Sequence, residues 1–177
     1  MPPVIADFSS HFFYDNEIKS DKTNTYEHLY FYDTAGSGYH EVQSSEGSTF
    51  NEGEMSFVQK VIEQESSVEV SFISPYAAQV NLAKNELNPK IQCNTIDGFQ
   101  GQENDVVIIS LVRSNEDGKI GFLSDYRRMN VAMTRAKDRL YVIGDSATLG
   151  NDPFYKAFID YCEQNNCYHS VFELLYE

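Results

Sequence analysis

Apolar residues in this chain gather in short runs separated by stretches of helical spacing. The unbroken run Val106-Val107-Ile108-Ile109, within Asp105–Arg113, has the composition of a central parallel strand buried on both faces. Leu140–Gly144 predicts a second buried strand. His28–Thr34, Val68–Ser74 (closed by Pro75) and Ile91–Asn94 predict three more. Met55, Val58 and Ile62 recur at helical spacing up to about Glu65, and Asn51 with Glu54 three residues later is a candidate N-cap pair. Ala77–Leu87 (stopped by Pro89), Asp125–Lys137 and Pro153–Asn165 predict further helices, and Ser170–Leu175 a last strand. Residues 4–19, with Phe8, Phe12, Phe13 and Tyr14, read as an irregular aromatic-rich start. Gly36–Gly53, Thr95–Asn104 and Asn115–Gly121 read as loops. This alternation predicts one α/β domain over residues 1–177, with a mostly parallel sheet and helices on its faces.

Length agrees: 177 residues suit one ordinary domain. There is no run of 18 apolar residues, and the start lacks the basic and apolar regions of a signal peptide. The expected setting is intracellular and cytoplasmic, with no membrane partner. Three cysteines, Cys93, Cys162 and Cys167, do not make a disulfide framework. Cys162 and Cys167 are followed by His169, but no fourth ligand stands near, so no metal site is expected.

The net charge of −14 argues against a polyanion partner until its distribution is considered. Residues 1–112 hold 5 Lys+Arg against 17 Asp+Glu, and residues 140–177 hold 1 against 6. Residues 113–139 hold 7 against 4, so any contact with phosphates must be local to this stretch.

Two elements carry candidate chemistry, the second of them in this stretch. The segment Thr95-Ile96-Asp97-Gly98-Phe99-Gln100-Gly101-Gln102-Glu103 leaves the carboxyl end of a predicted strand, where open α/β sheets bind ligands. Its glycines permit close backbone approach, its Thr hydroxyl and amides suit phosphate oxygens, and Glu103 suits a sugar hydroxyl. Taken alone it reads first as a surface loop with turn glycines, because short polar loops are common. The second element, Arg127-Arg128-Met129-Asn130-Val131-Ala132-Met133-Thr134-Arg135-Ala136-Lys137, places Arg128, Ala132 and Arg135 on one stripe if helical. Arginine suits bidentate phosphate recognition, although a solvated basic face has the same pattern.

Together the two elements resemble a known family. The first is similar to motif V of superfamily 1 helicases, T-V-D-x-F-Q-G-x-E, and Asn130–Lys137 to motif VI, N-V-A-L-T-R-A-K, at the family's spacing. Phe72-Ile73-Ser74-Pro75-Tyr76-Ala77-Ala78-Gln79 resembles its I-T-P-Y-x-x-Q, and Met1–Tyr14 the tail of motif IV, with Pro2 where the family has His. The similarity spans about residues 1–149 and is strongest to the branch of the nonsense-decay helicase. No G-x-x-x-x-G-K-[ST] phosphate loop is present, so the chain is expected to be an excised second RecA-like domain.

The resemblance implies a three-layer RecA-like domain lacking the phosphate loop, with ATP and Mg2+ held between it and the first RecA-like domain of the same protein. Arg135 is the implied arginine finger. Gln100, Gly101, Glu103 and Arg135 are implied around ATP, and Pro75, Tyr76, Thr95 and Arg113 along single-stranded DNA or RNA. Tyr76 is open to either base stacking or simple packing. The implied activity is ATP-dependent unwinding by the whole protein and none by the isolated chain. Two alternatives are a scaffold that kept the fold, which has no use for Gln100, Glu103 and Arg135 together, and a flavodoxin-type binding domain, which leaves the Thr-Arg-Ala-Lys segment unexplained.

Overall fold

The computed structural model describes residues 1–13, 28–66 and 69–176. The order is α1 (Pro3–Phe13), β1 (Leu29–Asp33), β2 (Val42–Gln43), β3 (Thr49–Phe50), α2 (Glu52–Gln64), β4 (Val70–Ser74), α3 (Ala77–Glu86) and β5 (Gln92–Thr95). There follow β6 (Asn104–Ser110), α4 (Tyr126–Met133), β7 (Ala136–Gly144), α5 (Ser146–Leu149), α6 (Pro153–Gln164), β8 (Tyr168–Ser170) and α7 (Val171–Leu175). Six strands form one sheet in the order β5-β4-β6-β7-β1-β8, every pairing parallel. This is the three-layer α/β, RecA-like arrangement the sequence implied. Among the described residues, no helix is long and apolar enough to cross a membrane.

The period-two alternation of each strand divides the core. Val107 and Ile109 of β6 join Leu29, Phe31, Leu140 and Val142 beneath α1, α4 and α6. Val106 and Ile108 turn the other way, with Phe72 and Ile143, beneath α2, α3 and α7. A doubly buried strand has no polar face to offer, which is why the apolar run of β6 is unbroken.

Several boundaries differ from the sequence reading. The aromatic start is not irregular: Pro3–Phe13 is a helix with proline at its first position, where a missing N–H costs nothing. Val4, Ile5 and Phe8 form its buried stripe, and Phe8 meets Phe158 of α6 at 5.2 Å. The rest of that stretch, residues 14–19, lies outside the described residues, as does Val68. Within the predicted Gly36–Gly53 loop, β2 and β3 pair antiparallel. The predicted last strand is mostly helix, because Ser170 caps α7 through its hydroxyl.

The correction that matters most concerns Asp125–Lys137. Helix α4 ends at Met133, and β7 begins at Ala136, paired with Asn104 of β6. Central-sheet pairing outweighs the helical propensity of Thr134–Lys137. Arg135 therefore does not share a helical stripe with Arg128 and Ala132; it stands in the turn between α4 and β7.

Candidate functional site

Parallel pairing gives the sheet two distinct edges, and the candidate residues sort between them. Ser74 of β4 pairs with Thr95 of β5, so Pro75, Tyr76 and Thr95 lie together at the carboxyl edge, with Arg113 three residues past the end of β6. The chain then returns from Thr95 to the opposite edge. A single turn of 3-10 helix, Asp97–Phe99, is pinned by buried Phe99 and by the Gly98 N–H donating to Thr95 Oγ1 at 3.3 Å. Gly101 follows with φ +79, a left-handed conformation that favours glycine. Gln100, Gly101 and Glu103 are exposed along this return.

The return ends beside Arg135. The Asn104 N–H donates to the Arg135 carbonyl at 3.1 Å, so Glu103 and Arg135 are brought together by the first rungs of the β6–β7 ladder. Arg135 is half-buried, its Nε donating to the Val131 carbonyl at 3.1 Å. Val131 in turn lines a cleft of about 230 Å³ with Ile96, Asp97, Gln100, Arg127 and Arg128. Sequence reasoning missed the clasp across this cleft: Arg128 Nη2 donates to Asp97 Oδ2 at 2.6 Å, joining the two motif-bearing segments. Such exposed pairs contribute about 0–1 kcal/mol, so the clasp matters for where it holds Gln100 rather than for stability. With Asp97 paired to Arg128, the lining leaves Arg127 and the Gln100 amide to meet an anion such as a polyphosphate. Among the described residues, no three His, Cys, Asp or Glu side chains gather to hold a metal ion.

At the carboxyl edge the geometry is different. Tyr76 is only 3% exposed: its ring is packed rather than presented, and its hydroxyl donates to the Ile120 carbonyl at 3.1 Å. Arg113 donates to that hydroxyl at 3.1 Å and pairs with Glu41 at 2.6 Å. Pro75 and Thr95 stay half-exposed.

Beneath this edge lies a buried polar network that the capping pair only hinted at. The Asn51 side chain accepts from the Glu54 N–H at 3.0 Å, as predicted, but of Asn51 the Glu54 carboxyl meets only the side-chain Nδ2, at 3.4 Å, and not the backbone amide. Gln79 takes that amide at 2.8 Å and donates to Ser110 Oγ at 3.0 Å. Glu54 turns inward instead, accepting from Ser110 Oγ at 2.8 Å and from the Val112 N–H at 3.0 Å. Burial pushes its carboxyl up to about 8, against the lowering effect of those two donors. Val112 is held at φ 71, left-handed for a β-branched residue, and its carbonyl accepts from Asn51 at 3.0 Å. The three cysteines are free and buried, and burial pushes Cys93 and Cys167 up to about 11.

Comparison with known proteins gives this geometry a family. Residues 1–147 match the AAA domain family. "Probable helicase MAGATAMA 3" of Arabidopsis thaliana is 37% identical over 94% of this chain and 24% of its own length. "DNA polymerase alpha-associated DNA helicase A" of Saccharomyces cerevisiae is 36% identical over 93% of this chain and 29% of its own. The chain belongs to this AAA domain family, as the second RecA-like domain of a superfamily 1 helicase. The helicase domain is also 30% identical, over 94% of its residues, to "Regulator of nonsense transcripts 1" of Dictyostelium discoideum, of which it covers 14%. It thus spans less than a third of the length of these relatives. In fold, it resembles the C-terminal domain of a possible DNA helicase from Lactobacillus plantarum WCFS1, with a TM-score of 0.50 over 95% of both chains at 12% identity.

Proposed function

We propose that this helicase domain forms one wall of an ATP site in a longer ATP-dependent helicase, with Arg135 as its arginine finger. The observation that carries the reading is that the Asn104–Arg135 backbone bond sets Glu103 beside Arg135, while Arg135 is tethered to Val131, which lines the cleft together with Gln100. Glu103 would face the sugar, Gly101 would admit the nucleotide's backbone side, and the guanidinium would stabilise charge developing on the transferred phosphoryl group. The first RecA-like domain would supply the phosphate loop and the Mg2+ ligands, which this chain's described residues do not gather.

Single-stranded DNA or RNA would pass the carboxyl edge, touching Thr95 and Pro75. Tyr76 and Arg113 support that edge from within, Tyr76 tied to Ile120 and Arg113 to Glu41. Phosphate contacts of this kind position a strand without reading its sequence. Opening and closing of the cleft would then step the strand.

Steady-state kinetics of the full-length protein test the assignment. Arg135→Ala should lower kcat by at least ~10³, the low end for loss of an arginine finger, with a smaller effect on ATP binding. Arg135→Lys should not restore it, because a point charge lacks the planar fork. Arg128→Ala, which releases the exposed ion pairs to Asp97 and Asp125 but leaves the finger in place, should cost far less. Normal turnover in Arg135→Ala would refute the reading.

A further inference from the structure

The loop after β6 holds a feature that neither the motifs nor the proposed ATP site uses. Phe122 is 66% exposed, the most exposed phenylalanine among the described residues. Its exposure is fixed by its neighbours. On one side, Gly121 sits at φ +53, where an added Cβ would collide with Arg113 Nη1 and stand 2.8 Å from the Tyr76 hydroxyl. The backbone there is therefore pressed against the Arg113–Tyr76 pair, and the Tyr76 hydroxyl anchors it through the Ile120 carbonyl. On the other side, Leu123 is fully buried. Between these two anchors Phe122 stands on a single turn of 3-10 helix, Gly121–Ser124, with its ring outward. The ring leans on Tyr76, centroids 5.5 Å apart and planes inclined by 32°, while the Arg113 guanidinium lies 5.8 Å from the centre of the Tyr76 ring.

We infer that Phe122 is a stacking platform for an unpaired nucleobase. The inference rests on the proposed passage of a single strand along the carboxyl edge. Two observations favour a base over other occupants. The ring belongs to the edge that carries Pro75 and Thr95, through Tyr76 directly after Pro75. It is backed by an aromatic ring and a cation, the combination on which bases stack irrespective of sequence. A flat π-face recognises DNA and RNA bases alike; the sugar plays no part.

The chain contains no tryptophan, so Phe122→Trp introduces a single indole fluorophore at the platform. Its emission should be quenched saturably at low salt by oligo(dT) and by oligo(rU), and not by an abasic oligomer of equal length. Phe122→Ala should weaken binding of both oligonucleotides, read by anisotropy, by about tenfold, the mid-range for losing one stacked base. Because the side chain is exposed, neither variant should change the melting temperature. If the oligonucleotides bind by anisotropy but leave both the indole emission of Phe122→Trp and the affinity of Phe122→Ala unchanged, the platform is refuted and the strand path stands. If the unsubstituted chain binds no oligonucleotide even at millimolar concentration, both fall. If emission responds to the matching first motor domain without nucleic acid, Phe122 is an interdomain contact and the inference is overturned.

Discussion

Replacing Glu54 with glutamine should remove a pH dependence from the stability of the fold. Glu54 is fully buried, and its carboxyl is pushed from 4.5 up to about 8, first by burial and to a lesser degree by Asp145 and Glu41. Between those values the folded state holds a proton that the unfolded chain releases. Stability from this group is therefore complete below about pH 4.5 and is lost progressively as pH rises to about 8. The full span is on the order of 5 kcal/mol, and the slope inside the window about 1.4 kcal/mol per pH unit. For a chain of 177 residues this is roughly 3–5 °C of melting temperature per pH unit. Melts followed by circular dichroism at several values between about pH 5 and 8, on both proteins, measure it. Glutamine keeps an acceptor for Ser110 and Val112, and whatever its amide costs beside Asn51 is independent of pH, so the offset between the curves is ignored and the slope is read. Apart from Asp145 and Glu41, which couple to Glu54, the other ionisable groups act on both proteins alike. Parallel curves would show that Glu54 is ionised in the folded state across this range, and the argument from burial would be wrong.

Two further outcomes concern the isolated chain. It should show no ATP turnover in a coupled phosphate-release assay, with or without single-stranded nucleic acid, because its sequence has no phosphate loop; turnover that disappears with Arg135→Ala would contradict this. Its affinity for oligonucleotides should be weak and fall further as salt rises, since net charge is −14 and counterion release drives such binding; a nanomolar Kd at physiological salt, measured by anisotropy, would show that the charge layout has been misjudged.

The centre of the fold was legible because doubly buried strands have a composition that little else imitates, as in Val106–Ile109. The start of β7 was not, because Lys137, Asp138 and Arg139 look like a helix end. They enter the strand through the backbone ladder with β6, in which Val106 pairs with Arg139, and the Arg139 guanidinium there finds buried Glu65 at 2.5 Å, 74 positions away in sequence. The first helix was hidden by its aromatic density, and β2 and β3 by being two residues each within a serine- and glycine-rich stretch. For the site, the resemblance to motifs V and VI implied Gln100, Glu103 and Arg135, but not that a backbone bond joins their segments, nor that Tyr76 is packed inside. The glutamate expected to complete the cap of α2 is a core residue in space, because Gln79, from another helix, takes the amide that Glu54 was expected to satisfy. Phe122 left no signal: a Gly-Phe-Leu triplet reads the same whether its ring is buried or presented.

Only Thr134 and Arg135 separate the last residue of α4 from the first of β7. So short a joint acts as a rigid bracket. Arg135 has no hinge of its own, and its backbone carbonyl is riveted to β6. Any pull on it is delivered to the whole sheet. Strand β7 is nine residues long, a lever of about 30 Å at the usual strand rise. A tilt of about 10° at the arginine end sweeps the opposite edge through roughly 5 Å, more than the ~3.4 Å that separates successive nucleotides of one strand. Under the proposed assignment, the sheet is thus the connecting rod between the nucleotide cleft and the strand it moves, and its stiffness sets the stroke.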